Sequence, residues 1–403
     1  MKKIAFIIYK VLLVFGLLGV LFIPFSFHYF TVQSTITKFL FENGIVFISS
    51  QLSWIHLTNS EISSDSTALY VLLGLLFCIA IIMVSLASFI KSTNRKESLI
   101  IKSIQLIMTY YLSAVLLRYG SDKLFKVQFY LPEPNILYTP LGMLDKDILF
   151  WSTMGTSYSY NVFMGLMEII PALLLLHTKT RVLGLLLLTG VMINVVFINF
   201  GFDISVKLYS TFLLLLCMLL LVPYWSKFMQ FFILNQSTVI SVFKGKEVLS
   251  STPKRYGIKA IAIGFILMES FFPHIQNGGC YDDITPRNPL HGSYEVTKIE
   301  NNLASNDLVN LKRIFIHRQN YLIVQYADDR MEDFSLDVHP HLNQFVLTDQ
   351  NGATFVLNYE YSEALQMLEL KSADLGITIT SISKPWRELP LLQPLFHWTV
   401  DEI

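Results

Sequence analysis

Residues 158–223 read YSYNVFMGLMEIIPALLLLHTKTRVLGLLLLTGVMINVVFINFGFDISVKLYSTFLLLLCMLLLVP, three apolar blocks parted by two short polar breaks. Each block holds roughly twenty residues, which at about 1.5 Å per residue spans the ~30 Å hydrocarbon core of a bilayer. In lipid such a block must be helical, because a helix satisfies every backbone amide and carbonyl within itself. Working outward, similar blocks lie at 4–26, 68–90, 99–120, 158–176, 182–201, 207–223 and 257–273. The 403 residues are 53% apolar and only 15% charged, against roughly a quarter charged in an average soluble domain. Formal net charge is zero, so no bulk field favours nucleic acid or acidic partners. The reading is a membrane helical bundle of about seven transmembrane helices.

The seventh block, GIKAIAIGFILMESFFP (257–273), is short and contains Lys259 and Glu269, so a buried re-entrant segment is its alternative. At the N-terminus Lys2 and Lys3 precede an apolar stretch reaching Pro24, longer than a signal-peptide core and without a small-residue cleavage site. It is expected to be a retained first helix. Lys and Arg gather in alternate short loops: Lys2 and Lys3; Lys91, Arg95, Lys96 and Lys102; Lys179 and Arg181; Lys227, Lys244, Lys246, Lys254 and Arg255. The positive-inside rule then places the N-terminus in the cytoplasm and the C-terminal region outside. Lys123, Lys126 and Lys146 fall on the outer side and break the pattern. Cys78, Cys217 and Cys280 form no C-x-x-C or metal-spaced set, and Cys280 reads as inert. The first outer loop holds ITKFLFENGIVFISSQLSW, which suits a helix lying in the interface with Trp54 at headgroup level. FMQFFIL (228–234) is expected either to lie on the membrane or to pack on the bundle.

After Pro273 the composition changes. NGGCYDDITPRNP (277–289) reads as a linker, and from Leu290 short apolar-polar alternations suit about eight strands, closing as a small antiparallel barrel or pairing as a sandwich. Asp349-Gln350-Asn351-Gly352 reads as a hairpin turn. The terminal WRELPLLQPLFHWTVDEI is expected to cover one barrel end or dock on the membrane part, with His397 and Trp398 as packing residues. No internal repeat, nucleotide-binding glycine loop, metal-ligand spacing or G-x-S-x-G elbow is visible.

Ionisable groups inside a bilayer cost roughly 2.5–3.5 kcal/mol each on insertion scales, so those that persist pair or line a cavity. Arg118 and Asp122 share a helix face, with Lys123 and Lys126 beside them. Glu168 lies about 15 Å into the fourth block at the standard helical rise. Asn194 and Asn199 follow in the fifth, then Asp203 and Lys207. These groups sit toward one end of their helices, whereas the other ends read LLLLH, LLLLT and LLLLCMLLLVP. The asymmetry points to a polar pocket among helices three to six, open outward. The alternative is a set of ion pairs and amide bonds that fix helix packing, with Glu168 paired to Arg118 or Lys123 and the two asparagines bonding between helices. Tyr119 and Tyr209 read as interfacial anchors.

The stretches YLSAVLLRYGSDKLFKVQF (111–129), NVFMGLMEIIPALLLL (161–176) and VMINVVFINFGFDISVKLYS (191–210) resemble the DoxX-like integral membrane proteins, in particular a long bacterial version with two extra N-terminal helices. The family's R/Y-G-x-x-K pattern is met by Arg118, Tyr119, Gly120 and Lys123, its acidic residue by Glu168, and its Asn-Asn-Asp-Lys series by Asn194, Asn199, Asp203 and Lys207. SSDST (63–67) is similar to a family G-S-G-D-T segment that keeps Asp65 and loses both glycines. The resemblance implies two N-terminal helices and an outer loop at 1–98, a four-helix core at 99–225, a cytoplasmic loop and seventh helix at 226–273, and an extracytoplasmic lipocalin-like β-domain at 274–403. It also implies a link to quinone-dependent redox complexes in some members and to chaperone or receptor roles in others.

Two functional readings stand at this point. One is a non-catalytic membrane assembly or interaction protein, its bundle holding a membrane partner and its β-domain meeting an envelope partner. The other is an accessory subunit of a quinone-linked oxidoreductase, with Arg118 and Lys123 on the oxygens of a quinone-like amphiphile and Glu168 moving a proton. The absence of an inverted repeat or of paired broken helices argues against transport.

Overall fold

The computed structural model describes every residue except 1, 30, 53–56, 58–59, 240–251, 277–286, 302–309, 373–375, 394–396 and 400–403, and gives backbone only for 2, 91–95, 252, 254–255 and 301. Trp54, Cys280, Lys244, Lys246, most of the expected linker, and the side chains of Lys91, Arg95, Lys254 and Arg255 therefore lie outside the described residues. The chain forms two compact units. One comprises 1–128 and 159–282; the other comprises 129–158 and 283–403.

The first unit is helical. In it α1 (Lys2–Phe22) leads to α2 (Val32–Gln51), α3 (Thr67–Phe89) and the long α4 (Lys91–Leu124). The short α5 (Pro134–Leu137) and α6 (Lys146–Thr156) belong to the second unit. The bundle resumes with α7 (Tyr158–Leu176), α8 (Arg181–Gly201), α9 (Lys207–Leu221), α10 (Trp225–Phe228) and α11 (Thr252–Gln276). Among the described residues seven helical stretches are long and apolar enough to cross a membrane, namely those beginning at Lys3, Thr67, Lys96, Tyr158, Arg181, Lys207 and Tyr256. The sixth is longer than the sequence blocks suggest. After α9 the chain tightens into a 3-10 turn at Val222–Tyr224, where Pro223 has no amide to donate, and stays helical to Ile233.

Leu72, Leu76, Leu112, Leu216 and Cys217 are wholly buried at the centre of the bundle, whereas Phe39, Phe89, Phe197 and Ile261 point out and are largely exposed. Each such side chain would forfeit roughly 1.5–3 kcal/mol by facing water, so a lipid bilayer is the medium this surface suits. Where α4 meets α7 the backbones nearly touch. A Cβ on Gly165 would lie 2.8 Å from the Gly120 carbonyl oxygen, and one on Gly120 would lie 2.9 Å from that of Gly165. Small residues at a crossing let membrane helices approach this closely. Gly120 in the R-Y-G-x-x-K stretch thus has a packing reason to be glycine.

The second unit is a closed barrel of eight antiparallel strands in sequential order. These are β1 (Gly292–Asn301), β2 (Leu311–His317), β3 (Tyr321–Tyr326), β4 (Met331–His339), β5 (Gln344–Thr348), β6 (Thr354–Ser362), β7 (Met367–Ser372) and β8 (Ile377–Lys384), with β8 returning to pair with β1. Closure removes both sheet edges. Tyr294, Ile316, Leu322, Phe345, Leu368 and Leu370 meet inside as a packed core. Asp349 makes the expected turn: its carboxylate receives the amides of Asn351 and Ala353, and Gly352 takes a positive φ of 85°. A repeat that the side chains conceal emerges in the backbone. Asn320, Asn343 and Gln366, all left-handed, recur at one constant interval; so do the strand starts Tyr321, Gln344 and Met367, and then Met331, Thr354 and Ile377. The carbonyls of the first three accept the amides of Leu336, Tyr359 and Ser383. Three hairpins of one plan therefore build most of the barrel.

The strands β2 and β3 are buried on both faces, because the chain between α4 and α7 covers their outer side. Tyr138 stacks on Phe315 with centroids 5.9 Å apart, Arg313 lies over the Tyr138 ring, and Gln325 donates to the Tyr138 carbonyl. Residues 129–158, expected within the four-helix core, pack as part of the barrel unit. Of the terminal segment, Trp386 is buried against His291, whereas Trp398 is 87% exposed, not enclosed as the sequence suggests.

Candidate functional site

One end of the bundle, where α1, α4 and α11 finish and α3 and α9 begin, carries most of its buried polar groups. Helix ends explain part of this. The last carbonyls of α1 have no helical partner, and the buried amide of Gln33 supplies one, donating to Val20, Leu21 and Ile23 at 3.1, 3.3 and 2.8 Å while accepting from Phe25. Asp65 does the reverse for α9, where its two oxygens receive the Lys207 and Leu208 amides, each at 2.9 Å. A carboxylate suits an N-terminus, which carries free amides and partial positive charge. Asp65, in the SSDST segment, is thus a cap supplied from another part of the chain.

Between these caps lies a cavity of about 300 Å³ lined by Phe25, Ser26, Ser63, Ser64, Arg118, Tyr119, Asp122 and Tyr209, among others. Phe25 stacks on Tyr209 at 5.6 Å and meets Tyr119 edge-on. The Tyr209 hydroxyl is 2.8 Å from that of Tyr111. Both Tyr209 and Tyr119 thus face into the bundle, contrary to an anchoring role at the lipid interface, because these contacts draw their rings inward. Arg118 Nε and His274 Nε2 approach Asp122 Oδ1 at 3.3 and 3.1 Å, without aligned hydrogen bonds, and Arg118 also donates to the Glu269 carbonyl. Behind them the Ser121 hydroxyl donates to the Ser270 carbonyl at 2.7 Å. The buried Glu269 carboxylate accepts the amides of His28 and Tyr29.

The nine residues singled out in the sequence do not all meet. Arg118, Tyr119 and Asp122 line the cavity. Lys123 and Glu168 instead face each other across the α4–α7 crossing, Nζ to Oε2 at 2.8 Å, both nearly inaccessible. Their charges are spent on each other, because the helix turn carrying Lys123 faces α7. Asn199 donates to Ser210 at 2.9 Å, joining α8 to α9, as an amide buried between helices should. Asn194, five residues earlier, falls on the exposed side of α8 and takes no part. Asp203 is mainly exposed and pairs with Lys207 at 2.7 Å, at the cap rather than in the cavity. Lys126 is buried and left-handed at the end of α4, with the Val127 and Gln128 amides bonded back to Asp122. Glu269, His274 and Gln33 were missed as site residues. The polarity of Glu269 within an apolar block is the available signal, although by itself it argues equally for a weaker span.

The second unit has its own buried cluster. Glu133, at the start of α5, lies 2.7 Å from His291 Nε2, 3.0 Å from Arg318 Nε and 3.9 Å from His317 Nε2. Arg318 also lies over the Tyr130 ring. Burial pushes the Glu133 carboxyl up, but the His291 hydrogen bond and the charges of His291, His317 and Arg318 outweigh it and hold it below the ordinary carboxylate range. Burial holds His317 below the ordinary imidazole value, against the pull of Glu133. The cluster clamps residues 129–158 to the barrel. No group of three or more His, Cys, Asp or Glu among the described residues is arranged to hold a metal ion.

Comparison with known proteins adds little to this geometry. No family model matches the chain. It is similar to the uncharacterized protein YwoB of Bacillus subtilis strain 168, 40% identical over 82 residues. That match covers 20% of this chain and spans about half, 53%, of the relative. No solved structure matches.

Proposed function

We propose that the chain is a DoxX-like polytopic protein of the bacterial inner membrane, N-terminus inside and barrel outside, that serves as a non-catalytic assembly or interaction protein. The observation that carries this reading is how the bundle's charges are used. Lys123 and Glu168 are closed on each other, Asp65 caps α9, and Glu269 holds the loop after α1. Buried groups satisfied in this way fix one arrangement of elements and are poorly placed to exchange protons. The barrel supports it too: a core packed with Tyr294, Phe345 and Leu370 leaves the outer surface as its means of recognition. The test is photo-crosslinking in intact cells from the exposed barrel positions Tyr321 and Val356. A discrete adduct whose yield falls on reversing nearby charges supports the reading; no adduct from either position overturns it.

A second reading rests on the cavity. Arg118 and the Tyr119 hydroxyl offer donors to carbonyl oxygens, Asp122 offers an acceptor, and the Phe25–Tyr209 pair offers flat apolar walls. A quinone-like amphiphile matches that combination, as expected of an accessory subunit of a quinone-linked oxidoreductase. In that role Asp122, not Glu168, is the carboxylate at the cavity. Quinone retained by purified protein and lost in Arg118→Gln would favour this reading over the first.

A further inference from the structure

Lys10 of α1 and Glu97 of α4 form an ion pair at 2.7 Å whose side chains remain one-quarter to one-third exposed. Neither belongs to the polar end that holds the Arg118 cavity. Lys10 lies seven residues into the first span, and Glu97 is the second residue of the third, which begins at Lys96. The lysine stem therefore reaches up toward the boundary of the apolar region, as long cationic side chains near helix ends do. From this pair a hollow runs between α1, α3 and α4. Its head, of about 80 Å³, includes Lys10, Ser88 and Glu97; its body, of about 420 Å³, is lined almost wholly by apolar groups including Leu17, Met83, Ala87 and Ile107. The two share Val14, Val84, Ala87, Ile100 and Ile104, so they form one continuous groove. From Glu97 to Ile107 along α4 is roughly 15 Å at the helical rise.

We infer that this groove is a binding site for one phospholipid with an amine-bearing zwitterionic headgroup. An acyl chain lies along the groove, the phosphate meets the Lys10 ammonium and the headgroup amine meets Glu97. Charge complementarity selects the headgroup. An adjacent cation and anion at headgroup level match a phosphate and an ammonium held a few atoms apart, whereas a purely anionic head would meet Glu97 with like charge.

The experiment uses full-length protein, delipidated in detergent and titrated by native mass spectrometry with phosphatidylethanolamine and phosphatidylglycerol of identical acyl chains. One phosphatidylethanolamine should be retained, with at least about tenfold preference over phosphatidylglycerol. Ala87→Trp, which fills the groove at a residue facing it, should abolish that adduct. Lys10→Met combined with Glu97→Leu, removing both charges together, should keep lipid in the groove but erase the preference. Equal retention of the two lipids by the parent protein overturns the inference, as does a preference that survives the paired Lys10/Glu97 replacement. The paired variant keeps the test decisive if Ala87→Trp does not fold.

Discussion

Asp65 shows what a single side chain does at the polar end of the bundle. It reaches α9 from the loop before α3, and its two oxygens take up two amides that the helix itself leaves free. Asp65→Ala should therefore cost about 1 kcal/mol, the usual loss of an N-cap, read as a lowered unfolding midpoint in detergent. Asp65→Asn, which keeps one acceptor oxygen, should lose less. Equal losses would show that charge matters and the cap geometry does not. Such a role could be only half read in the sequence. The resemblance of its segment to a family motif marks Asp65, but its partner lies beyond six further helices, α3 to α8, and no local pattern points to it. Arg118 and Asp122 were legible because their spacing is local; Lys123 and Glu168 were legible as buried charges, yet which basic group Glu168 takes was decided by the Gly120–Gly165 crossing.

Among the elements, the chain between α4 and α7 departs most from what the sequence suggested. It contributes Tyr138 and Glu133 to the barrel, and the clamp around Glu133 has a definite pH dependence. The titratable and charged groups facing one another there are Glu133, His291, His317 and Arg318, with Tyr130 beneath the guanidinium. His317 is held below its ordinary value of 6.5, so protons favour the unclamped state and stability starts to fall as pH drops through 6.5. Glu133 is held below its ordinary 4.5; its contribution is complete above 4.5 and is lost as pH falls through the lowered folded value. Hydrogen exchange of residues 129–158 should hence be slow at neutral pH, faster toward pH ~5 and fastest in stronger acid. Exchange rates that ignore pH, after correction for intrinsic chemistry, would contradict this account of the clamp. Glu133→Gln removes the negative charge that Arg318 and His291 face and should cost about 3–5 kcal/mol. The eight strands, by contrast, were all legible, because period-two alternation and turn residues are local signals. Their constant hairpin interval was not, since it lives in backbone geometry and Asn320, Asn343 and Gln366 are not identical residues.

For the molecule as a whole, apolar block length and the compositional break after Pro273 suffice for the architecture of a membrane bundle followed by a barrel. The orientation proposed from the positive-inside pattern predicts that Leu342→Cys, in the barrel, reacts with a membrane-impermeant maleimide in intact cells, whereas Lys179→Cys, between α7 and α8, reacts only after lysis. The reverse pattern would invert the topology. The central physical claim is that ionic groups were kept in this bundle chiefly to hold its elements together. A double-mutant cycle on Lys123 and Glu168, followed by thermal unfolding of the purified full-length protein, tests it most directly. Lys123→Met and Glu168→Leu alone should each cost about 3–5 kcal/mol, because each removes one partner of a buried ion pair, while the double replacement should recover most of that loss. Single variants as stable as the parent, or a double variant as unstable as the two losses summed, would contradict the claim.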